Sequence, residues 1–357
     1  MAATRRSALS AAAAILIFSL GCSTDRPSIT ESATETAASI QSALEVSVSL
    51  APEVRGADAV IAQVSVTNRS ASTVAVPESQ LPSEDMETQQ FLVLRDGEPV
   101  RYEGPHVKRG PAAADAIISI APGATHTYDV ELSRAYDLTR DGRYSVAFES
   151  RTGNARTTMR SARRDVRLYG RGALATSGMA DRSLSALTSQ ISYARCTTTQ
   201  QTDIRAALAQ AESYAINSRS YLAGGTLRDR YTWWFGAVTT ANASKVLANF
   251  TAIADAFANK PIKVDCGCKK TYFAYVYPNQ PYTIYVCKAF WSAPLAGTDS
   301  RGGTLIHEMS HFTVVAGTND WAYGQAAARN LAVNNVAQAI SNADNHEYFA
   351  ENTPARQ

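Results

Sequence analysis

From Ala43 to about Leu168, apolar and polar residues alternate in short runs. Five runs carry the pattern: 44-LEVSVSL-50, 59-AVIAQVSVT-67, 90-QFLVLRDGEPV-100, 116-AIISIAPGATHTYDVEL-132 and 143-RYSVAFES-150. A period of two puts every second side chain on one face, so each run predicts half-buried strand. Asp96-Gly97, Pro122-Gly123 and Asp141-Gly142 supply the residues that turns require. Roughly six or seven strands at this spacing predict an immunoglobulin-like β-sandwich over residues 43–168.

The pattern then changes. Residues 151–190 are rich in Arg, Ser, Thr, Ala and Gly, including 160-RSARRDVRLYGRG-172, a composition suited to a connection that proteases reach. The linker itself is placed at 169–190. After Cys196 the period becomes helical: Ile204, Leu208 and Ala211 share one face of 200-QQTDIRAALAQAESYAINSRSYL-222, and 239-TTANASKVLANFTAIADAF-257 predicts a second helix. Two aromatic runs, 271-TYFAYVYP-278 and 283-TIYVCKAF-290, predict a hairpin across Asn279-Gln280-Pro281-Tyr282. Helical periodicity returns from Gly302. The fold class is therefore α+β, with a mainly helical domain and a small sheet over 191–357.

A chain of 357 residues accommodates about two such domains. A formal net charge of +2, with 18% charged residues, leaves no extended basic field, so nucleic acid is not an expected partner. At the N-terminus, Arg5 and Arg6 precede the apolar run 8-ALSAAAAILIFSLGC-22, too short to span a bilayer comfortably, which reads as a secretory signal over 1–22. Its end, Ser19-Leu20-Gly21-Cys22, resembles a bacterial lipoprotein signal in which Cys22 is acylated, although Ser19 stands where Leu is usual. Ordinary signal cleavage nearby is the alternative. The Ser/Thr-rich stretch 23–42 suits a flexible tether. The expectation is an exported protein, secreted or an outer-membrane lipoprotein of a bacterium, anchored through lipid alone, with the mature part extracellular.

With Cys22 set aside, four of the five cysteines remain: Cys196, Cys266, Cys268 and Cys287. An oxidising compartment favours two disulfides over a Cys-x-Cys metal site. Three pairings are possible, and Cys266 and Cys268 are too close to bond each other easily, so each is expected to pair outward.

The chemistry concentrates in 307-HEMSHFTVVAGTNDWAYG-324. His307 and His311 are four apart, so on a helix both imidazoles reach one ion, with Glu308 placed to hold a water beside it. A solvated or core histidine pair is the competing reading. A zinc hydrolase needs a third protein ligand and one open position. The position six residues after His311 is Gly317, which excludes a third histidine there. Asp320 follows Gly317-Thr318, which can break the helix and turn the chain back, so Asp320 is the natural oxygen ligand; the alternative is that it caps a helix over 321-WAYGQAAARNLAV-333. His106 and His126 stand isolated and read as surface or structural residues.

His307-Glu308-x-x-His311 followed by Gly317-Thr318-x-Asp320-x-x-Tyr323-Gly324 resembles the aspzincin, or deuterolysin, zinc metalloproteases, and within them the peptidyl-Lys metalloendopeptidases. The similarity runs from about Tyr193 to Pro354 through 273-FAYVYPN-279, 289-AFW-291, 297-GTDS-300, 324-GQAAA-328 and 342-NADNHEYFAEN-352. The resemblance implies a zincin-type catalytic domain with one Zn2+ held by His307, His311 and Asp320. It implies Glu308 as general base, Tyr323 as donor to the oxyanion, and disulfides Cys196–Cys266 and Cys268–Cys287. It also implies a mature N-terminus near 185–195 and hydrolysis on the N-terminal side of Lys. Asp344 and Glu347, three apart on one helical face, would form the pocket for that Lys; a buried acidic pair must find a cation or shift its pKa. His346 reads as structural, since three ligands are assigned.

The distribution of lysine fits this picture independently. Of seven Lys, only Lys108, in 104-GPHVKRGP-111, lies between Cys22 and Cys196. The sandwich is therefore expected to be an inhibitory prodomain, a partner in cis whose Lys108 enters the acidic pocket without being cleaved. No Lys lies between Lys108 and Lys245, so release calls for another protease, trypsin-like, at 160-RSARR-164 or in the segment up to Arg195. The competing functions are a broader-specificity deuterolysin-like endopeptidase and a partner-binding lipoprotein with a degenerate protease domain; the presence of Glu308 argues against the latter.

Overall fold

The computed structural model describes residues 43–110, 117–151, 157–171 and 191–357. The signal at 1–22 with Cys22, the tether at 23–42 and the linker from 172 to 190 lie outside the described residues. In chain order the N-terminal strands are β1 (Leu44–Ser49), β2 (Glu53–Arg55), β3 (Ile61–Asn68), β4 (Val74–Pro77), β5 (Phe91–Arg95), β6 (Glu98–Pro99), β7 (His106–Lys108), β8 (Ile117–Ile120), β9 (Thr125–Glu131), β10 (Gly142–Arg151), β11 (Thr157–Arg160) and β12 (Arg164–Tyr169). One sheet runs β1-β3-β9, another β2-β12-β10-β5-β6 with β11 beside β10, and β4 pairs with β8. The inward residues of these strands, among them Val46, Val64, Val130, Phe91, Val146, Phe148 and Val166, bury into one apolar cluster. Alternation of buried and exposed positions along β1 and β3 is the period seen in the sequence. The β5–β6 hairpin turns at Asp96 and Gly97, both at positive φ (51° and 92°), the conformation that two-residue hairpin loops demand.

The Arg-rich segment departs from the linker expected of it. β12 pairs antiparallel with β10 and parallel with β2. Within the Arg-rich run, Val166 and Leu168 alternate inward, so a period-two strand is hidden by a composition that reads as loop. Arg171 is buried and donates to the carbonyls of Leu138, Gly56 and Asp58. The 160–164 motif offered above to an activating protease therefore lies within and between paired strands, with Ser161 buried.

The C-terminal part begins with β13 (Ser192–Ala194) and has its own core, built by the helices Thr198–Ala223, Thr240–Asn259, Arg301–His311 and Ala343–Glu351 around a small sheet. The first of these starts with a capping box between Thr197 and Gln200, which satisfies two otherwise unpaired amides. β14 (Lys263–Asp265), β15 (Ala274–Val276) and β16 (Thr283–Val286) complete the sheet, with β15 and β16 forming the expected hairpin. Disulfides join Cys196 to Cys266 and Cys268 to Cys287, tying both ends of the 266–268 stretch to the domain. No helix among the described residues is long and apolar enough to cross a membrane.

The sheet order is β13-β14-β16-β15-β7. Its edge strand thus comes from the N-terminal region: β7 pairs antiparallel with β15, setting Lys108 opposite Ala274 and His106 opposite Val276. Ion pairs flank this junction, from Lys270 to Asp85 and Glu87 and from Arg109 to Glu87. An N-terminal set of β-sheets around one core is followed by a helical domain with a small sheet, and β7 joins them at the mouth of the site described next.

Candidate active site

Ser300 caps the helix Arg301–His311 by accepting from the Gly303 amide at 2.9 Å, and every residue from Gly302 to His311 is buried. The i, i+4 spacing turns His307 and His311 to one side. Beyond Phe312 the chain reverses: Gly317 takes φ +61°, open to glycine without strain, and the Thr318 amide returns to the Ser310 carbonyl at 3.1 Å. Asn342 then holds the returning segment, its side-chain oxygen accepting from the amides of Trp321 (2.8 Å) and Ala322 (3.1 Å). Asp320 is fixed between those anchors. Its Oδ1 lies 3.1 Å from His307 Nε2 and 3.3 Å from His311 Nε2.

Each imidazole is oriented from behind. His311 Nδ1 donates to the Thr318 carbonyl at 3.0 Å, which leaves Nε2 with its lone pair facing the site. His307 Nδ1 lies 2.8 Å from Asp344 Oδ1, the carboxylate–histidine arrangement that metal ligands use. His307 Nε2, His311 Nε2, Asp320 Oδ1 and both Glu308 carboxylate oxygens are buried without hydrogen-bond partners. Buried polar atoms are nearly always paired, and lone pairs converging this closely repel unless a cation sits among them. Two imidazole nitrogens and a carboxylate oxygen are a zinc donor set with one position to spare. The residues fit the ion.

Beside the metal set is an acidic cage. Lys108 is fully buried, and its Nζ lies 2.7 Å from Glu347 Oε2, 3.1 Å from Asp344 Oδ1 and 3.3 Å from Asp299 Oδ1. The Tyr348 ring faces the ammonium at 5.1 Å from its centroid. Asp344 is held by the Gly324 amide at 2.6 Å, and Asp299 by the Tyr348 hydroxyl at 2.7 Å. Glu351 braces the floor, accepting from the amides of Ser300 and Asp299. Burial alone would lower the Lys108 pKa, but Asp344 and Glu347 outweigh it and hold the ammonium well above its ordinary value.

Comparison with known proteins places this geometry. A family model described as lysine-specific metallo-endopeptidase matches residues 221–351. An extracellular protease of Aeromonas hydrophila is 43% identical over 84% of this chain and 89% of its own length. A peptidyl-Lys metalloendopeptidase of Armillaria mellea is 38% identical, covering 87% of this chain and 95% of that protein. The chain belongs to the aspzincin family of zinc metalloendopeptidases. A peptidyl-Lys metalloendopeptidase of Pleurotus ostreatus, 50% identical, covers 46% of this aspzincin and 98% of its own length.

In this aspzincin, burial above all pushes Glu308 well above the usual carboxylate range, opposed by the His307 charge, which suits a group that must carry a proton. The Tyr323 hydroxyl is buried and raised, first by burial and then by the Asp320 charge. His346 sits in the core, its Nδ1 donating to the Asn342 carbonyl and its Nε2 2.9 Å from the Asn249 amide nitrogen. His126 lies half-exposed on β9. His106 departs from the isolated residue expected of it: it is buried, with Nδ1 3.4 Å from Asp320 Oδ2 and its ring 4.5 Å from that of His311. The pairing of β7 with β15 creates that contact, and no local pattern in the sequence announces a pairing between such distant segments. Asp299 was also missed as a site residue. It stood in view within 297-GTDS-300, directly before the cap residue of the histidine helix.

Proposed function

We propose that this protein is the latent precursor of an exported endopeptidase that hydrolyses peptide bonds on the N-terminal side of Lys. The observation that carries the reading is the buried Lys108 ammonium between Glu347, Asp344 and Asp299, with Asp344 also 2.8 Å from His307 of the histidine helix. A peptide Lys entering along β15 would find the same cage, with its backbone in the antiparallel register that β7 adopts. The named lysine specificity of the Armillaria and Pleurotus relatives agrees with it.

His307, His311 and Asp320 hold the ion, which when bound supplies a Lewis acid that polarises the scissile carbonyl and acidifies water. Glu308 accepts the proton of the attacking water and delivers it to the leaving amine. Tyr323 donates its hydroxyl proton as a hydrogen bond to the oxyanion. Asp344 and Glu347, with Asp299, seat the Lys side chain, and Asp344 at the same time orients the His307 imidazole. Replacing Glu347 by Gln should lower kcat/KM for Lys peptides by about ten- to a hundredfold, the worth of one hydrogen bond to a charged group, while Asp299→Asn, at the half-exposed rim, should cost about tenfold or less. Comparing Lys with Ala peptides checks this; equal losses on both would show that Glu347 does not read the lysine.

The N-terminal β region, read as an immunoglobulin-like sandwich over 43–168, serves as inhibitory prodomain with Lys108 as its plug. Activation falls to a separate protease in the linker. Arg182 suits it better than Arg195, because a cut after Arg195 would detach β13, which pairs with β14. Anchorage through an acylated Cys22 before release completes the proposal. A lysine whose docked pKa is raised contributes fully below its ordinary value and loses that contribution only as pH climbs through the higher one. Latency of the full-length chain should therefore persist from about pH 7 to about pH 10. Peptidase activity appearing in the intact chain across that window would contradict the plug.

A further inference from the structure

A plug made of lysine alone poses a chemical problem. The Val107–Lys108 bond has Lys on its C-terminal side, and the Lys108 side chain fills the specificity cage. Presented so, the prodomain is a substrate. We propose that His106 is a ligand of the metal in the full-length chain, occupying the coordination position that hydrolysis needs open. The proposal rests on the prodomain reading given above and deepens it.

His106, His311 and Asp320 offer ligand atoms that all lie within 4.8 Å of one another. Residues two apart on a strand face the same way, so β7 delivers His106 to the metal set and Lys108 to the cage in a single docking event. The β15 register fixes both. Tyr102 packs its ring edge against His106 at 5.5 Å, and its hydroxyl donates to the carbonyls of Met86 and Pro105, which holds the imidazole from its far side. Gly104 makes room for that ring, since a Cβ there would lie 2.5 Å from the Tyr102 hydroxyl. Two histidines and an aspartate leave one position for catalysis; a third imidazole closes the tetrahedron, as in structural zinc sites. A closed site leaves no place for the attacking water or for the carbonyl of residue 107. Lys108 provides recognition and His106 provides inertness.

X-ray absorption at the zinc edge of the full-length protein counts the imidazoles directly. Three are expected in the wild-type precursor, and two both in His106→Ala and in the enzyme after proteolytic removal of the N-terminal region. Zinc should also leave the wild-type precursor to a chelator about tenfold more slowly than it leaves His106→Ala, in line with the effect of a changed ligand environment. Two imidazoles in the wild-type precursor, or three that persist in His106→Ala, would overturn the assignment and leave His106 as a neighbour of Asp320. The prodomain reading fails separately, if removing the N-terminal region unmasks no peptidase activity; three imidazoles dropping to two would still establish His106 as a ligand.

Discussion

Glu308→Ala in the released enzyme should lower kcat by about a hundred- to ten-thousandfold, the usual worth of a positioned general base, while zinc content stays at one ion per chain. The separation is expected because Glu308 is not among the convergent ligand atoms: His307 Nε2 and His311 Nε2 lie 3.1 and 3.3 Å from Asp320 Oδ1. Its two unpaired, fully buried oxygens are available instead to a water and a leaving amine. Burial raises its proton affinity, which fits a group that takes a proton and then returns it. Zinc analysis beside peptide hydrolysis checks both halves. Loss of metal with loss of activity would make Glu308 a structural or ligating residue.

Lys108→Ala in the intact chain should release activity without any proteolysis. Removing one partner of a fully buried ion cluster costs about 3–5 kcal/mol, because the remaining charges stay buried and unpaired. Here Asp344 and Glu347, both fully buried, would face each other across an empty cage. A loss of about 3 kcal/mol shifts the balance of docked and undocked prodomain by roughly a hundredfold. The exposed Lys270 pairs at the rim of the junction contribute little, and the Arg109–Glu87 pair lies outside the cage and leaves Asp344 and Glu347 uncompensated. Hydrolysis of a Lys peptide by freshly purified full-length protein reads the effect, and circular dichroism verifies that the variant is folded. Latency unchanged from wild type would remove Lys108 from the inhibitory mechanism.

Some of this was legible in the sequence because its signals are local. The alternation in β1 and β3, the Asp96-Gly97 hairpin and the 3.6-residue period of Thr198–Ala223 each lie within one segment. The histidine pair is a helix-face relation, and the turn at Gly317 pointed to Asp320 through short-range chain geometry. What escaped was long-range. β12 was hidden because its exposed positions are the charged Arg164, Asp165 and Arg167, so composition outweighed the inward Val166 and Leu168. The site role of His106 depends on a strand of the N-terminal region joining the C-terminal sheet, a pairing that the short β7 does not signal. Asp299 meets Lys108 and Tyr348 only after Glu351 has drawn the 299–300 amides into place.

The most direct test is to release the enzyme from its N-terminal region, digest a denatured protein of known sequence, and identify every new N-terminus by mass spectrometry. A cage of carboxylates around an ammonium predicts new chains that begin with Lys, and almost none that begin with Ala or Leu. Cleavage before residues of all kinds, at comparable rates, would contradict lysine recognition by Asp344 and Glu347.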